Sequence, residues 1–475
     1  MAKSVVQPTN LAELSVNYNL HPFAQRLDSL ITETLEQCHQ DQDRKGTKLG
    51  SRFVVWLVLA LTIRRDLSCE AVLDWMISGW RWLSCCLPKK VVAAGAISHA
   101  RMRVGVNVFQ TLFNQVVATF KPLPTDFYRW VSVAFDGSIG SMPDTAANRD
   151  RFGKAKSRRK GEASAYPQLR WMSLLAIGPR LLLDVAYGPS VGKGTGERRL
   201  MMNILERLQP SNLLFMMDAG LYSFLLLFTL EQQQCAFLLK VSSKPLLPVA
   251  KRLPDGSYLC YKQDKIEAPN GSTDKRKKWR KETLTLRVIP YQIPGFRAAR
   301  LVTNILDPSI TAKELVMHYH KRWDIELCFD EIKTHQCATP RGQMPTLFRS
   351  KRPELVEQEL YAMMLVYNLL RELMLEAAPQ ADKDPLLLSF LDCLQLVIDA
   401  VPHMTRPMSA QALEQQQQYL LSLMAEADID RPRRQRVNER VVKVKMSKFK
   451  RKTSQHRESS RDIDKELQIL PPEAA

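Results

Sequence analysis

The sequence YHKRWDIELCFDEIK, residues 319–333, carries the most information about how this chain folds and what it does. Four polar residues in it are spaced three, four and seven positions apart: Tyr319, Arg322, Glu326 and Lys333. At about 100° per residue, one continuous helix places these side chains within roughly 60° of one another. Apolar residues border this polar stripe on both sides, namely Ile325, Cys328, Phe329 and Ile332 on one and Trp323 and Leu327 on the other. A solvated helix face needs no such borders, so we predict that the stripe faces into a site. A carboxylate beside two cations suits a metal ion next to a phosphate, and an ordinary charged helix surface is the alternative.

Two further carboxylates follow directly after short apolar strands. VSVAFD, residues 131–136, ends in Asp136, and LLFMMD, residues 213–218, ends in Asp218. Phosphodiester transfer uses two divalent cations a few Å apart, and Mg²⁺ prefers hard oxygen ligands from few carboxylates. Taken alone, each Asp is more typical of a cap or turn. Together with Glu326 on a nearby helix, they predict one acidic site at the edge of a sheet.

The spacing Tyr-x2-Arg-x3-Glu-x6-Lys resembles the signature of transposases of the insertion sequence 4 family, a branch of the DDE transposases. All four positions match. The segments DGSIGSMPD…NRDRFG around Asp136, LLFMMDAGLYS around Asp218, and RSKRPELVEQELYAMMLVYNLLR (349–371) are also similar to family motifs. One departure is Ala219, where the family often has Arg. The resemblance covers most of residues 130–375 and is looser in the N-terminal region.

The resemblance implies a complete set of functional residues. Asp136, Asp218 and Glu326 would bind two Mg²⁺ or Mn²⁺ ions and catalyse cleavage at the element's end, and the freed 3′-OH would then attack target DNA. Tyr319, Arg322 and Lys333 would grip phosphates near the element's terminus. The implied partner is double-stranded DNA, both element ends and target, bound by a homodimer. Two other functions stay open: a DNA-binding regulator that has lost catalysis, and an RNase H-like nuclease that cuts without joining strands.

The pattern of apolar residues divides the chain into six segments. After Trp130, short strands come first and then alternate with helices, which predicts a mixed sheet with helices packed on it. The fold class is α/β, with an RNase H-like mixed-sheet catalytic core that the resemblance implies. The predicted segments are a helical N-terminal DNA-binding domain (1–129), the first part of the core (130–241), a β-rich insertion (242–299), the second part of the core with the signature helix (300–375), a C-terminal helical region (376–430) and a basic, disordered tail (431–475).

The role of the N-terminal helices has two interpretations. In AISHARMRVGVNVFQTLFNQVV, residues 96–117, Ser98 is a candidate N-cap and Arg101 and Arg103 lie in the first turns. A helix that begins with arginines can enter a DNA groove, and a helical bundle without a DNA role fits these residues equally. The position ahead of the signature domain favours DNA binding, because transposases of the resembling family carry end-binding regions there.

Charge points to a polyanionic partner. Lys and Arg number 68 against 49 Asp and Glu, which gives +19. Such a balance favours nucleic acid, although a merely basic soluble protein is the alternative. Residues 431–461 hold thirteen Lys and Arg against two Asp and Glu, as in arms that bind nucleic acid. KRKKWRK, residues 275–281, is a second basic run, whose Trp279 either stacks on a base or packs the insertion.

The remaining composition predicts a reduced, cytoplasmic protein with no membrane partner, and the family resemblance implies that it is bacterial and associated with the nucleoid. The nine cysteines include no CxxC pair, and the eight histidines add no zinc pattern. The longest apolar run, residues 53–63, is too short to span a bilayer. The first residues lack the apolar region of a signal peptide.

Overall fold

The computed structural model places most of the 475 residues. It describes residues 11–44, 46–84, 92–155, 164–192, 195–208, 212–242, 245–267, 279–293, 297–337, 346–406, 408–429, 441–442, 450–451, 453 and 463–472.

A ten-stranded mixed sheet forms the centre of the protein, in the order β3-β2-β1-β4-β5-β9-β8-β7-β6 with β12 also paired to β8. The strands are β1 (Val131–Ser141), β2 (Gln168–Ala176), β3 (Leu181–Pro189), β4 (Leu213–Met217), β5 (Ala236–Val241), β6 (Lys251–Arg252), β7 (Tyr258–Glu267), β8 (Trp279–Gln292), β9 (Ala299–Thr303), the two-residue pair β10 (Val441–Val442) and β11 (Lys450–Arg451), and β12 (Gln468–Ile469). β1, β2 and β3 are antiparallel neighbours, whereas β1, β4 and β5 run parallel. This arrangement is the RNase H-like core, which confirms the predicted fold class.

Helices cover both faces of the sheet and continue beyond it. They are α1 (Leu11–Asn17), α2 (His21–Gln37), α3 (Ser51–Ile63), α4 (Cys69–Met76), α5 (Ser78–Ser84), α6 (Ala94–Thr119), α7 (Ala146–Phe152), α8 (Glu197–Leu205), α9 (Phe224–Gln232), α10 (Ala312–Tyr319), α11 (Asp324–Asp330), α12 (Pro353–Ala377), α13 (Phe390–Met404), α14 (Ala410–Glu426) and α15 (Ile463–Glu466). None of the helices described here has the length and apolar character needed to cross a bilayer.

The apolar runs of the central strands reflect burial on both faces. In β4, Leu214 and Met216 face a core shared with the N-terminal helices and α12, whereas Phe215 and Met217 face a second core with α8 and α9. Strands buried on two sides have no polar face to alternate with. The same double burial fixes the ends of β1 and β4 rigidly at one edge of the sheet.

The N-terminal helices share one core with the C-terminal helix α12. α3 is buried at almost every residue, and α12 is buried along most of its length. The predicted boundary near residue 129 therefore separates two kinds of secondary structure without separating their apolar cores.

Arg101 is a core residue, so the interpretation in which it enters a DNA groove does not fit the structure. α6 begins at Ala94, so Ser98 is not its N-cap. Arg101 is buried, donates to the Leu355 carbonyl at 3.0 Å, and lies 3.7 Å from Glu359. A buried cation needs such partners because its desolvation is costly. Sequence signals for the start of a helix are local, so they could not show that α12 covers Arg101.

The end of the chain returns to the sheet. Gln468–Ile469 pair with β8, the Leu470 amide donates to the Pro290 carbonyl at 2.9 Å, and Leu467 is buried. The expectation of a disordered tail to residue 475 is therefore wrong for residues 463–472, because apolar side chains and backbone hydrogen bonds hold them on the insertion. The basic segment 431–461 lies mostly outside the described residues, as do residues 275–278 of the second basic run. Trp279, at the start of β8, is 51% exposed.

Candidate active site

The two predicted aspartates lie at one edge of the sheet. β1 and β4 are parallel neighbours in which Ala134 pairs with Met216, so Asp136 and Asp218 stand two residues further along at the same level. One oxygen of Asp136 accepts the Gly137 amide at 2.8 Å, and one oxygen of Asp218 accepts the Ala219 amide at 2.8 Å. These bonds restrict rotation of both carboxylates. The site therefore begins with two oriented acids on a rigid support.

The signature segment is helical, but it is not the single α-helix that its spacing predicts. α10 ends at Tyr319, a 3₁₀ turn covers His320–Trp323, α11 follows, and a π-helical turn covers Glu331–Gln336. A 3₁₀ turn is tighter than an α-helix and a π turn is wider, and π turns are frequent at functional sites. The local pitch, which depends on packing, therefore sets where the four signature side chains point.

Tyr319 anchors the signature segment to the strand that carries Asp218. The side chain is buried, and its hydroxyl donates to the Met217 carbonyl at 3.0 Å. Burial raises the pKa of Tyr319 to about 12, so the hydroxyl keeps its proton and remains a donor. In this structure Tyr319 fixes the distance between the signature segment and β4.

Arg322 lies at the centre of the acidic groups. Its side chain is 8% exposed, and its guanidinium stands 3.5 Å from the Glu326 carboxylate. Burial alone lowers the pKa of Arg322, but four surrounding groups outweigh burial and raise that pKa above its ordinary value. Those groups are Tyr319, Asp218, Glu326 and Asp136. All three predicted acids are therefore near enough to Arg322 to act on its charge.

Lys333 faces the same space from the π turn. Its ammonium group lies 5.3 Å from the centroid of the Trp171 ring and 5.9 Å from that of Phe329. Burial lowers the pKa of Lys333, and the nearby Asp136 carboxylate opposes that effect. Phe329 belongs to the apolar border predicted on one side of the stripe, whereas Trp171 comes from β2. Lys333 is near enough to Asp136 for the carboxylate to act on its charge.

Asp136 is the most perturbed acid of the group. Burial raises its pKa to about 6, and the negative charges of Glu326 and Glu197 add to the increase. The Gly137 amide and Arg322 act in the opposite direction. An acid with a strongly shifted pKa in a cluster of charges is typical of a functional site.

Glu197 is an acidic neighbour that sequence reasoning missed. The loop GPSVGKGTGE suggests Thr195 or Glu197 as a helix cap, but the N-cap of α8 is Gly196, and the Thr195 hydroxyl donates to the Gly192 carbonyl at 3.0 Å. The only signal in the sequence was an acid in the first turn of a helix, which the helix dipole explains without any site. Lys193 and Gly194 lie outside the described residues.

The acids have the ligand chemistry that a divalent cation prefers, but their positions in this structure do not enclose one. In the part of the chain that the structure describes, no three Asp, Glu, His or Cys side chains converge closely enough to enclose a metal ion. Asp136, Asp218 and Glu326 nevertheless offer the hard oxygens that Mg²⁺ and Mn²⁺ prefer. The positive charge of a divalent cation would favour the ionised form of Asp136 and so oppose the effect of burial on its pKa. In this structure the Glu326 carboxylate is paired with Arg322.

A buried ionic network holds the signature segment against the rest of the core. Arg180, in the turn between β2 and β3, donates to Asp324 at 3.1 Å and to Glu331 at 3.3 Å. Arg371 forms an ion pair with Glu331, and the Tyr367 hydroxyl donates to the same carboxylate at 3.1 Å. Glu331 is therefore paired within this network, and it supports the helix that carries Glu326.

Two regions of the chain match family models of known proteins. Residues 18–114 match the family model for the insertion element 4 transposase N-terminal region, and residues 174–369 match that for the transposase DDE domain. The second match includes Asp218 and the whole signature, whereas Asp136 precedes it.

Two individual proteins illustrate the similarity. The chain is 26% identical over 372 residues to transposase InsG for insertion sequence element IS4 from Escherichia coli strain K12, covering 75% of this chain and 78% of InsG. A solved piggyBac transposase synaptic complex with hairpin DNA aligns with a TM-score of 0.44 and 11% identity, covering 86% of each chain. On the two family matches and the InsG alignment, this chain belongs to the insertion sequence 4 family of DDE transposases.

Proposed function

We propose that this chain is the transposase of a bacterial insertion sequence and moves its element by cutting and pasting DNA. It binds the terminal inverted repeats, cleaves a strand at each end, and joins the freed ends to target DNA. The observation that carries this proposal is the grouping of Asp136, Asp218 and Glu326 around Arg322 at one edge of the sheet.

The three carboxylates hold the divalent cations of the reaction. Two Mg²⁺ or Mn²⁺ ions bound there would activate an oxygen nucleophile and stabilise the leaving oxygen of a phosphodiester. Asp136 and Asp218 contribute carboxylates whose orientation is already restricted by backbone amides. Glu326, whose side chain is 44% exposed, is the third ligand.

The cations of the signature act on the DNA. When Glu326 leaves its ion pair, the buried Arg322 guanidinium is available for a DNA phosphate in the same space. Lys333 approaches Asp136 from the aromatic side and holds a second phosphate. Tyr319 can contact a phosphate only if its hydroxyl breaks the hydrogen bond to the Met217 carbonyl. While that bond is formed, Tyr319 positions the signature segment.

The rest of the chain supplies affinity for double-stranded DNA. The net charge of +19 and the basic segment 431–461 favour phosphate contacts. We assign recognition of the element's ends to the N-terminal helices. Two copies act together on paired ends as a homodimer, in the bacterial cytoplasm at the nucleoid.

A strand-cleavage assay on a duplex that carries the element's end tests the proposal. Asp136→Ala, Asp218→Ala and Glu326→Ala should each abolish cleavage in Mg²⁺ or Mn²⁺ while gel-shift affinity is retained, because each removes a ligand and no basic surface. Asp150→Ala, at an exposed acid on α7, is the matched control and should cut normally.

The outcomes separate the candidate functions. A wild-type protein that binds the ends and never cuts would be a regulator. One that cuts without joining the freed 3′-OH to target DNA would be a nuclease. Normal cutting by any one triad variant would remove that residue from the site.

A further inference from the structure

Ser173 is a polar residue in an otherwise apolar row of β2. Three residues of this strand, Leu169, Trp171 and Leu175, face the core that also contains α12 and the signature segment. Because side chains alternate along a strand, Ser173 points to the same face as Trp171 and Leu175. Its side chain is fully buried, with a relative exposure of 0%. Apolar surroundings explain why this position is buried, but they do not explain why it is a serine.

The hydroxyl of Ser173 has no hydrogen-bond partner among the described residues. A buried hydroxyl without a partner is costly, and alanine would avoid that cost at nearly the same volume. Trp171 Nε1 is also without a partner there. However, the Trp171 ring packs against Phe329 and Phe348, and Lys333 lies over it, so its apolar surface explains its presence. Ser173 has no comparable apolar surface, and only its hydroxyl distinguishes it from alanine.

Asp136 is the residue directly opposite Ser173 in the sheet. In the antiparallel pair of β1 and β2, Asp136 is in register with Ser173, as Ala134 is with Leu175. Facing residues of such a pair point to the same side, with Cβ atoms about 4.5–5.5 Å apart. Ala134 and Leu175 both belong to the core that contains the signature segment. Asp136 and Ser173 therefore point side by side to the face of the sheet on which that segment packs.

The Asp136 carboxylate has an oxygen available for a donor such as Ser173. One oxygen accepts the Gly137 amide at 2.8 Å, and for the other no hydrogen-bond donor is found within the described parts of the chain. At the Cβ separation of a facing pair, rotation of the Ser173 side chain into another staggered rotamer can bring Oγ within hydrogen-bond distance of a carboxylate oxygen. A donor without an acceptor thus faces an acceptor without a donor across β1 and β2.

We propose that Ser173 is a positioning residue of the active site, whose hydroxyl donates to the second oxygen of Asp136 and holds that carboxylate in the orientation of a metal ligand. This inference rests on the proposed function. Carboxylates that bind metal ions are themselves held by hydrogen bonds from neighbouring groups. With the Gly137 amide on one oxygen and the Ser173 hydroxyl on the other, each oxygen keeps a lone pair for a cation. β2 thereby becomes a part of the active site, in addition to β1, β4 and the signature segment.

Binding of Mn²⁺ to the DNA-free protein, measured by electron paramagnetic resonance of the unbound ion, tests the proposal without using activity. Ser173→Ala removes the hydroxyl and almost nothing else. Loss of a group that supports a metal ligand typically costs roughly 10- to 100-fold in metal affinity, and we expect a weakening in this range. Ser173→Thr, which keeps the hydroxyl, should recover most of the affinity. Ser190→Ala, the matched control, removes another unpartnered hydroxyl just beyond β3 and should bind Mn²⁺ as the wild type does.

Stability and cleavage separate positioning from packing. In EDTA, Ser173→Ala should be at least as stable to urea as the wild type, because it removes a buried hydroxyl that has no partner. Its affinity for the element's end in EDTA should be unchanged. The Mn²⁺ concentration for half-maximal cleavage should rise by the same factor as the dissociation constant for Mn²⁺. A hydroxyl that only supports the fold would instead lower the stability in EDTA and leave Mn²⁺ affinity as it is.

Wild-type Mn²⁺ affinity in Ser173→Ala would overturn the inference. A Ser173→Thr protein that folds normally and binds Mn²⁺ as weakly as Ser173→Ala would overturn it as well. Asp136→Asn, measured in parallel, separates this failure from that of the proposed function. If Asp136→Asn also binds Mn²⁺ normally, Asp136 is not a metal ligand and the proposed function fails at this residue. If only Asp136→Asn loses binding, the proposed function stands and Ser173 has no part in it.

Discussion

Replacing the most perturbed acid of the site should make the metal-free protein more stable while it destroys activity. Burial raises the pKa of Asp136 from 3.8 to about 6, so the folded protein resists ionisation of this group. A shift of about two units at 1.36 kcal/mol per unit corresponds to about 3 kcal/mol of destabilisation once the group is ionised. Asp136→Asn removes that charge, and its side-chain oxygen can still accept the Gly137 amide.

The direction of the pKa shift determines the pH range in which Asp136→Asn and the wild type differ in stability. Well below pH 3.8, the ordinary pKa of an aspartate, Asp136 is protonated in both the folded and the unfolded chain, and its contribution to stability is fully present. As the pH rises through about 6, the unfolded chain has already ionised, and the folded chain loses that contribution. Asp136→Asn should therefore match the wild type only at about pH 3 or below and exceed its free energy of unfolding by up to about 3 kcal/mol above pH 7.

Urea unfolding in EDTA at pH 4.5, 6 and 8 measures this difference directly. The exposed Asp150→Asn is the control, and it should follow the wild type at every pH. Adding Mg²⁺ at pH 8 should stabilise the wild type and leave Asp136→Asn almost unchanged, because a ligand that binds only the folded state raises its stability. Equal stability of Asp136→Asn and wild type at pH 8, or the same difference at every pH, would refute the account of Asp136 as a buried acid awaiting a cation.

Three further perturbations test other parts of the structure. Arg322→Ala and Lys333→Ala should each reduce cleavage at the element's end by more than about 10²-fold, because a misplaced substrate loses that much, and normal cutting by both would mean that the stripe is only a helix surface. Arg101→Met should lower the free energy of unfolding by about 3 kcal/mol, since Glu359 loses a buried partner, whereas the partly exposed Arg103→Met should cost about 1 kcal/mol or less by the same urea titration. Changing the Lys and Arg of residues 431–461 to Gln should weaken binding to all DNA and flatten the slope of log K against log salt by roughly 0.9 per lost phosphate contact. This is a cleaner test than ending the chain near Asp430, which would also remove β12. Loss of preference for the element's end with an unchanged slope would show that the segment reads sequence.

The sequence by itself determined the residue types of the site and the strands that carry two of them. Asp136 and Asp218 could be placed at a sheet edge because each follows an uninterrupted apolar strand, and such runs mark strands buried on both faces. The fold class followed from strands that come first and then alternate with helices. The signature spacing identified the family because four polar positions at fixed intervals are specific, whatever the exact pitch of the helix.

Only the tertiary structure decided the helical pitch of the signature segment and the partners of the buried side chains. The 3₁₀ and π turns around α11 arise from packing against β4 and α12, which no local periodicity records. Arg101 is buried because a helix more than 250 residues away in the sequence covers it. In each case the deciding contact joins residues distant in sequence, and short-range patterns determine which elements form but not which side chains those elements bring together.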